Sequence, residues 1–199
     1  MDFKNSESAR NLMRAFAGES QARNRYTIAA AQAKAEGHYA IEAIFNYTAG
    51  QEKEHAEIFY RHLAPLAGES IMIDGGYPVD IAPTTASLLR MAQHNEYEEY
   101  NDAYPAFAEV AAKEGFSAVA ASFRLISQIE KTHGDRFGRF AEFLESGRLY
   151  VSDVKASWIC LNCGHIYTGT AVPPKCPVCE HDRGYFVRIE LSPFEGSLA

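Results

Sequence analysis

Two short stretches, Glu52-Lys53-Glu54-His55 and Glu130-Lys131-Thr132-His133, each set a carboxylate and an imidazole three residues apart. On a helix, residues at that spacing lie on one face a turn apart, so each pair aims an oxygen and a nitrogen at a common point. That is a two-pronged grip on a metal ion. The pairs are copies of one another. Sliding the sequence along itself by 78 positions superimposes them, and with them Glu36-Gly37 on Glu114-Gly115, Ala40 on Ala118, Phe45 on Phe123, Phe59 on Phe137 and Arg61 on Arg139. Upstream, Tyr26 falls on Tyr104, whereas Glu19 falls one residue past Glu96, so the copies drift by one position there.

Each copy therefore supplies a lone Glu followed by Glu-x-x-His. Four helices delivering Glu, Glu-x-x-His, Glu and Glu-x-x-His to the centre of a bundle make up the ligand set of ferritin-like di-iron and di-manganese carboxylate proteins. Most Glu and His side chains sit on solvated faces, and one such pair would carry little weight. Two pairs in register inside a repeat, each with its upstream Glu, point to a dinuclear site.

A second pattern lies near the other end. Cys160-Leu161-Asn162-Cys163 and Cys176-Pro177-Val178-Cys179 are two Cys-x-x-Cys knuckles, which together enclose one tetrahedral ion. All four cysteines fall here, and so compact a cluster favours metal binding over a disulfide framework. Sulfur ligation suits zinc as well as iron. The dinuclear site needs electrons, which favours a one-electron iron centre over a structural zinc ribbon.

The elements that must position these groups read as four long helices. After cap candidates Ser6 and Ser8, Leu12, Phe16, Tyr26 and Ala30 recur at helical spacing, and Glu19 shares their face, where a carboxylate is costly unless paired or metal-bound. Gly37 ends this helix, and a second runs from Tyr39 to Ala64, before Pro65. Residues 65–84 carry Gly68, Gly75, Gly76, Pro78 and Pro83 without helical period and read as the long crossover of a ferritin-like bundle. A third helix starts at Thr84 or Thr85 and carries Glu96 and Glu99 one turn apart. Pro105 within it predicts a kink or local widening near Tyr104. The fourth spans Ser117–Glu145, where Gly134 and Gly138 each cost about 1 kcal/mol against Ala, so close packing is expected to compensate. Residues 1–147 then form the bundle, 148–157 a linker, and 158–199 a small, β-poor domain that needs its metal as a staple.

Whole-chain properties narrow the classes. A chain of 199 residues with 47% hydrophobic content has enough apolar material for a real core. The net charge of -7 argues against nucleic-acid binding. No apolar run approaches the roughly 18 residues of a membrane span, and the polar start, Met1 to Glu7, reads as that of a cytoplasmic protein.

The combination resembles the rubrerythrin family over nearly the whole chain. The resemblance is carried by Ala17-Gly18-Glu19-Ser20-Gln21-Ala22-Arg23-Asn24-Arg25-Tyr26, Gln51-Glu52-Lys53-Glu54-His55, Glu96-Tyr97-Glu98-Glu99-Tyr100, Tyr104-Pro105, Glu130 with His133, and the two knuckles. It implies a ferritin-like four-helix domain with two non-haem iron ions, followed by a rubredoxin-like domain with one iron on Cys160, Cys163, Cys176 and Cys179. It further implies that Glu19 binds one iron and Glu96 the other, that Glu52 and Glu130 bridge, and that His133 binds the second iron. Glu99 and His55 would serve the first iron alternately, in the ferric and ferrous states. Five carboxylates against two ferrous ions make that exchange reasonable, because giving up one anion on reduction keeps a buried site nearer neutrality.

The activity so implied is reduction of hydrogen peroxide to water, with electrons from a separate NAD(P)H-dependent reductase or rubredoxin, since the chain has no Rossmann glycine fingerprint. A homodimer or larger assembly is implied as well, the small domain of one chain serving the di-iron site of another. Ferroxidase or oxygen-reductase activity at the same ligands, and an iron-storage or zinc-stabilised protein without turnover, are the competing readings. Tyr26 and Tyr104 match tyrosines that flank the ligands in the family. Tyr26 follows Glu19 by seven residues and shares its face. Tyr104 follows Glu99 by five, roughly 140° round a regular helix, which makes Tyr100, four after Glu96, its rival. Glu180 stands after the last Cys, where free rubredoxins commonly have Gly.

Overall fold

Ser6 accepts a hydrogen bond from the Ala9 amide and so opens α1 (Glu7–Ala35), the first of five helices in a computed structural model that describes residues 2–192. Met1 and residues 193–199, the last part of the stretch expected as a small domain, lie outside the described residues. Gly37, at φ 77, turns the chain into α2 (Tyr39–His62). That helix ends two residues short of Ala64 because Pro65 cannot continue it, and Ala64–Leu66 tighten into a 3-10 turn. An irregular crossover leads to α3 (Thr85–Glu98), capped by Thr84. After α4 (Tyr104–Glu114), Gly115 at φ 90 repeats the Gly37 turn and starts α5 (Ser117–Glu145).

The third rod of the bundle is α3 and α4 joined through a π-helical turn, Glu99–Ala103, in which the Tyr104 amide donates to the Glu99 carbonyl five residues back. This is the widening expected near Tyr104. Pro105 has no amide to give, and the Tyr100 carbonyl instead accepts from the Ser127 hydroxyl on α5 at 3.1 Å. The two inner glycines of α5 mark close packing. A Cβ on Gly134 would meet the Tyr97 ring at 2.8 Å, and one on Gly138 would collide with the Gln93 side chain.

The duplication is visible in how the helices are capped. Glu36, at the end of α1, accepts from the Thr85 amide that opens α3 (3.0 Å), while Glu114, at the end of α4, accepts from the Glu7 and Ser8 amides that open α1 (3.0 and 2.8 Å). Each repeat thus caps the first helix of the other. Replacing Glu114 with Ala is expected to lower stability at neutral pH by about 1–2 kcal/mol, a typical loss for a cap. Burial works to raise the Glu114 pKa, but the Ser8 hydroxyl with the Ser8 and Glu7 amides outweighs it and holds the group below its ordinary value of 4.5. A depressed folded-state pKa contributes stability that is full above the unfolded value and fades as pH falls through the folded one. Urea midpoints for parent and variant should therefore differ by a constant amount above about pH 5 and converge as pH falls through the lowered folded-state value of Glu114.

Inside the bundle, the apolar core is divided in two. One cluster, including Leu12, Phe59, Tyr104 and Phe123, fills one end, and another, including Tyr26, Phe45, Leu89 and Phe137, fills the other. Between them, halfway along every rod, lies a layer of buried carboxylates and imidazoles.

Beyond the bundle, β1 (Val151–Cys160), β2 (Ile166–Ala171) and β3 (Phe186–Arg188) form an antiparallel sheet in the order β2-β1-β3. This corrects the expectation of a linker at 148–157. Leu149 is buried in the bundle core, and β1 already pairs with β2 at Val151, opposite Ala171. The first part of β1 is largely solvent-exposed, so its sequence lacks the apolar alternation by which a strand is recognised. The sheet unit sits against the α1–α2 turn. The Tyr185 ring stacks on Tyr39 at 4.2 Å, Gly184 lies so close to the Gly37 carbonyl that any Cβ would collide with it, and Ile159 and Val187 join the bundle core. Among the described residues, no helix is long and apolar enough to cross a membrane.

Candidate metal centre

Helix α1 brings Glu19 to the polar layer, α2 brings Glu52 and His55, α3 brings Glu96, and α5 brings Glu130 and His133. The four carboxylates and His133 are at most 1% exposed and His55 is 4% exposed. The side chains form two compact groups. Glu19, Glu52, His55 and Glu130 make one, Glu52, Glu96, Glu130 and His133 the other, each with ligand atoms within 4.8 Å of one another. Glu52 and Glu130 belong to both, and their oxygens are divided between them. Around His55 Nδ1 stand Glu52 Oε2 (3.1 Å), Glu130 Oε1 (3.0 Å) and Glu19 Oε1 (3.8 Å). Around His133 Nδ1 stand Glu52 Oε1 (3.0 Å), Glu130 Oε2 (3.0 Å) and Glu96 Oε2 (3.5 Å).

These atoms crowd together without hydrogen-bonding. Both oxygens of Glu52 and of Glu130, one each of Glu19 and Glu96, and Nδ1 of both histidines are buried and have no hydrogen-bond partner. Buried carboxylates left so are strongly destabilising unless cations join them. The titration of the groups tells the same story. Burial, then Glu130, Glu99 and Glu52, raise the Glu19 pKa well above the usual carboxylate range, and burial with Glu52 pushes Glu96 up to about 8. Burial would also raise Glu52, but His133 and His55 hold it down to about 2. Burial would lower His55, yet Glu130 and Glu52 raise it to about 9. Carboxyl groups outnumber imidazoles in the layer, so without cations some of them must keep their protons, and the donor set of hard oxygens with two ring nitrogens fits two divalent or trivalent iron ions sharing a pair of carboxylates.

The two tyrosines reach across the repeat. Tyr26 on α1 donates to Glu96 Oε1 on α3, and Tyr104 on α4 donates to Glu19 Oε1 on α1. Tyr26 therefore serves not the Glu on its own helix face but its counterpart in the other copy. Tyr104 is brought into place by the π turn, which makes a five-residue spacing a single turn and brings it over Glu99. Tyr100 is half-buried and takes no such role; its carbonyl is the acceptor for Ser127.

Glu99 stands just outside both compact groups. It is half-buried and faces a cavity of about 240 Å³ between α1, the π turn and the crossover, and burial followed by Glu96, Glu130 and Glu52 raises its pKa well above the usual range. Gly18 and Tyr77 line the same cavity. Neither was singled out from sequence as a functional residue, although a glycine in the middle of a long helix is a signal that something needs the space.

The cysteine sulfurs converge as well. Cys160 and Cys179 lie 3.8 Å apart, Cys163 and Cys176 3.7 Å, and none forms a disulfide. Four sulfurs placed tetrahedrally at about 2.3 Å from an ion would be about 3.8 Å apart, so the site fits a single ion. The two knuckles superimpose. The Cys160 carbonyl accepts from Gly164 and the Cys176 carbonyl from Glu180, while the Cys160 and Cys176 amides donate to His165 and His181. Glu180, at φ 61, thus occupies the left-handed position that Gly164 takes at φ 77. The missing glycine changes the residue but not the turn.

Comparison with known proteins agrees with this geometry. The sequence matches the rubrerythrin profile over residues 10–141 and that of the rubrerythrin rubredoxin-like domain over residues 158–187. It is 44% identical to a rubrerythrin of Clostridium perfringens over 184 residues, covering 92% of this chain and 94% of that one. With a rubrerythrin of Porphyromonas gingivalis it shares 43% over 183 residues, 92% of this chain and 90% of that one. Among solved structures it is similar to nigerythrin in its fully reduced, all-ferrous state, with a TM-score of 0.62 and 26% identity over 91% of this chain and 86% of that one.

Proposed function

Because the chain belongs to the rubrerythrin family, whose members bind a di-iron site and a rubredoxin-like iron, we propose that it is a cytoplasmic peroxidase that reduces hydrogen peroxide to water. Each turnover takes one peroxide, two electrons and two protons and yields two waters. The observation that carries this reading is the sharing of Glu52 and Glu130 between two ion positions, each completed by one histidine and one further Glu. In this assignment Glu19, Glu52, His55, Glu96, Glu99, Glu130 and His133 hold the dinuclear iron, and the four cysteines hold the third ion. When bound, the paired ions hold the two electrons and polarise the O–O bond.

The protein's own groups prepare that chemistry. Tyr26 and Tyr104 each keep a proton on a hydroxyl directed at a terminal carboxylate, which fixes the rotamers of Glu96 and Glu19 and satisfies one oxygen of each. The apolar clusters flank the layer and keep bulk water from its two ends, and the Glu99 cavity opens beside it. The cysteine cluster has an outward edge, since Cys163 is exposed, and a separate NAD(P)H-dependent reductase or a rubredoxin would deliver electrons there.

Delivery onward is proposed to run between two copies of the chain. Within one chain the sheet unit docks beside Tyr39, and Glu52 lies thirteen residues further along α2, about 20 Å at helical rise. Electron tunnelling falls off exponentially with distance, so a partner's cysteine site placed beside the layer serves it better.

The test is to reduce the protein chemically under anaerobic conditions and then offer peroxide or dioxygen at equal concentration. Reoxidation by peroxide should be the faster, with one peroxide consumed per two electrons. Faster reoxidation by dioxygen would favour the oxidase or ferroxidase reading, and purified protein holding far more iron than its three positions allow would favour storage.

A further inference from the structure

We infer that the cavity beside Glu99 is the passage by which hydroperoxides reach the dinuclear layer, and that Tyr77 and Gly18 set the size of molecule that passes. The inference rests on the peroxidase reading for its substrate, and on the geometry of the crossover segment for everything else.

The cavity has one wall from α1, where Arg14, Gly18, Gln21 and Arg25 follow one another at helical spacing, and another from the third rod, ending on Glu99 and Tyr104. Its roof is the crossover. At about 240 Å³ it accommodates several molecules of water size. The cavity between α4 and α5 is larger, about 600 Å³, but none of the seven proposed ligands lines it.

The roof is tied down rather than loose. Arg14 binds the Asp74 carboxylate at 2.7 Å and the Asp74 carbonyl at 2.9 Å, and its own carbonyl accepts from the Tyr77 hydroxyl at 3.0 Å. Further along, Asp80 takes hydrogen bonds from Arg25 (2.5 Å) and Asn95 (2.7 Å). The Tyr77 ring is thereby held over Gly18 with its outer side in solvent, 40% exposed. An aperture framed by fixed groups selects by size.

Gly18 is the gap in that aperture. It lies in the middle of α1, where Gly disfavours the helix by about 1 kcal/mol relative to Ala. No backbone torsion requires glycine there, and a Cβ would meet nothing closer than Tyr77 at 3.7 Å and Glu99 Oε1 at 3.9 Å. A methyl group would therefore fit without displacing anything, yet it would touch both the ring and the carboxylate and span the opening between them. Helix stability argues for Ala at this position, and passage argues for Gly.

The experiment compares parent, Gly18→Ala, Tyr77→Ala and Tyr77→Phe proteins after confirming equal iron content. Steady-state kcat/KM is measured with hydrogen peroxide and with tert-butyl hydroperoxide, which is reduced to tert-butanol and water by the same two electrons and two protons. In parallel, the rate at which azide enters the diferric centre is followed by its absorption change, a readout independent of turnover. Opening the roof in Tyr77→Ala should raise the tert-butyl to hydrogen peroxide ratio about tenfold, the scale on which a pocket discriminates small apolar groups, and speed azide entry. Tyr77→Phe keeps the ring but loses its tie to the Arg14 carbonyl, and its ratio should fall between those of the parent and Tyr77→Ala. Gly18→Ala should retain or raise thermal stability while slowing azide entry and lowering kcat/KM for both hydroperoxides. Unchanged ratios together with unchanged azide rates in Gly18→Ala and Tyr77→Ala would overturn the assignment of the passage. A parent protein that reduces neither hydroperoxide would instead overturn the peroxidase reading, and the azide rates would still decide the passage.

Discussion

Replacing Glu52 with Ala should empty both ion positions of the dinuclear layer at once while leaving the cysteine site filled. Each oxygen of Glu52 stands at a different histidine, so its loss takes one ligand from each position and removes half of the bridge. Glu19 and Glu96 each belong to one group, and their removal should weaken one position more than the other. Removing even a group that merely supports a metal ligand typically lowers affinity or activity 10–100-fold, so the loss of a shared ligand should reduce turnover by at least about 100-fold. Misfolding is not the expected cause. Glu130 stays within 3.0 Å of both His55 and His133 once Glu52, which those imidazoles hold down to about 2, is gone, and an unchanged helical circular-dichroism spectrum checks that the bundle persists. Iron per chain by elemental analysis should fall from three toward one, with thiolate-to-iron absorption unchanged. A variant that keeps full peroxide turnover would remove the ligand assignment altogether.

The duplication made much of this site legible before any coordinates. The 78-residue offset that aligns Glu52 with Glu130 and His55 with His133 also aligns Gly37 with Gly115 and the starts of α2 and α5. Even the one-residue drift between Glu19 and Glu96 carried structural meaning. The second copy has one more residue between its lone Glu and its Tyr, and the rod accommodates it as the π turn at Glu99–Ala103. Treating that rod as a regular helix misplaced Tyr104, because five residues make one turn there. Reading Tyr26 along its own helix face likewise missed that its hydroxyl crosses to the other copy, a pairing set by helix packing and not by sequence spacing. The first part of β1 was hidden by its polar, exposed residues, and Tyr77 by its place in a segment without period. Local periodicity reveals groups that share an element. Contacts made by an irregular segment folded over the bundle have no such signal.

Co-expressing a chain carrying Glu52→Ala with a chain carrying Cys176→Ser is expected to restore activity that neither has alone. The first lacks a working dinuclear layer and keeps the sulfur site; the second keeps the layer and lacks the sulfur site, since Cys176 is a buried member of the four-cysteine group. If electrons pass between chains, a mixed dimer contains one complete pair, the sulfur site of one chain facing the layer of the other. Random pairing makes half of the dimers mixed, and each has one working layer of two, so reductase-driven turnover should recover to about a quarter of the parent value in a two-fold dimer. Transfer within a single chain predicts no recovery, because every chain is then broken at one end of its own path. The Cys176→Ser chain, reduced chemically, should still consume peroxide, which separates a lost relay from a damaged bundle. Absence of recovery alongside that retained chemical activity would place transfer inside one chain. The roughly 20 Å along α2 between Tyr39 and Glu52 would then have to be bridged by a movement of the sheet unit away from Tyr39 and Gly37.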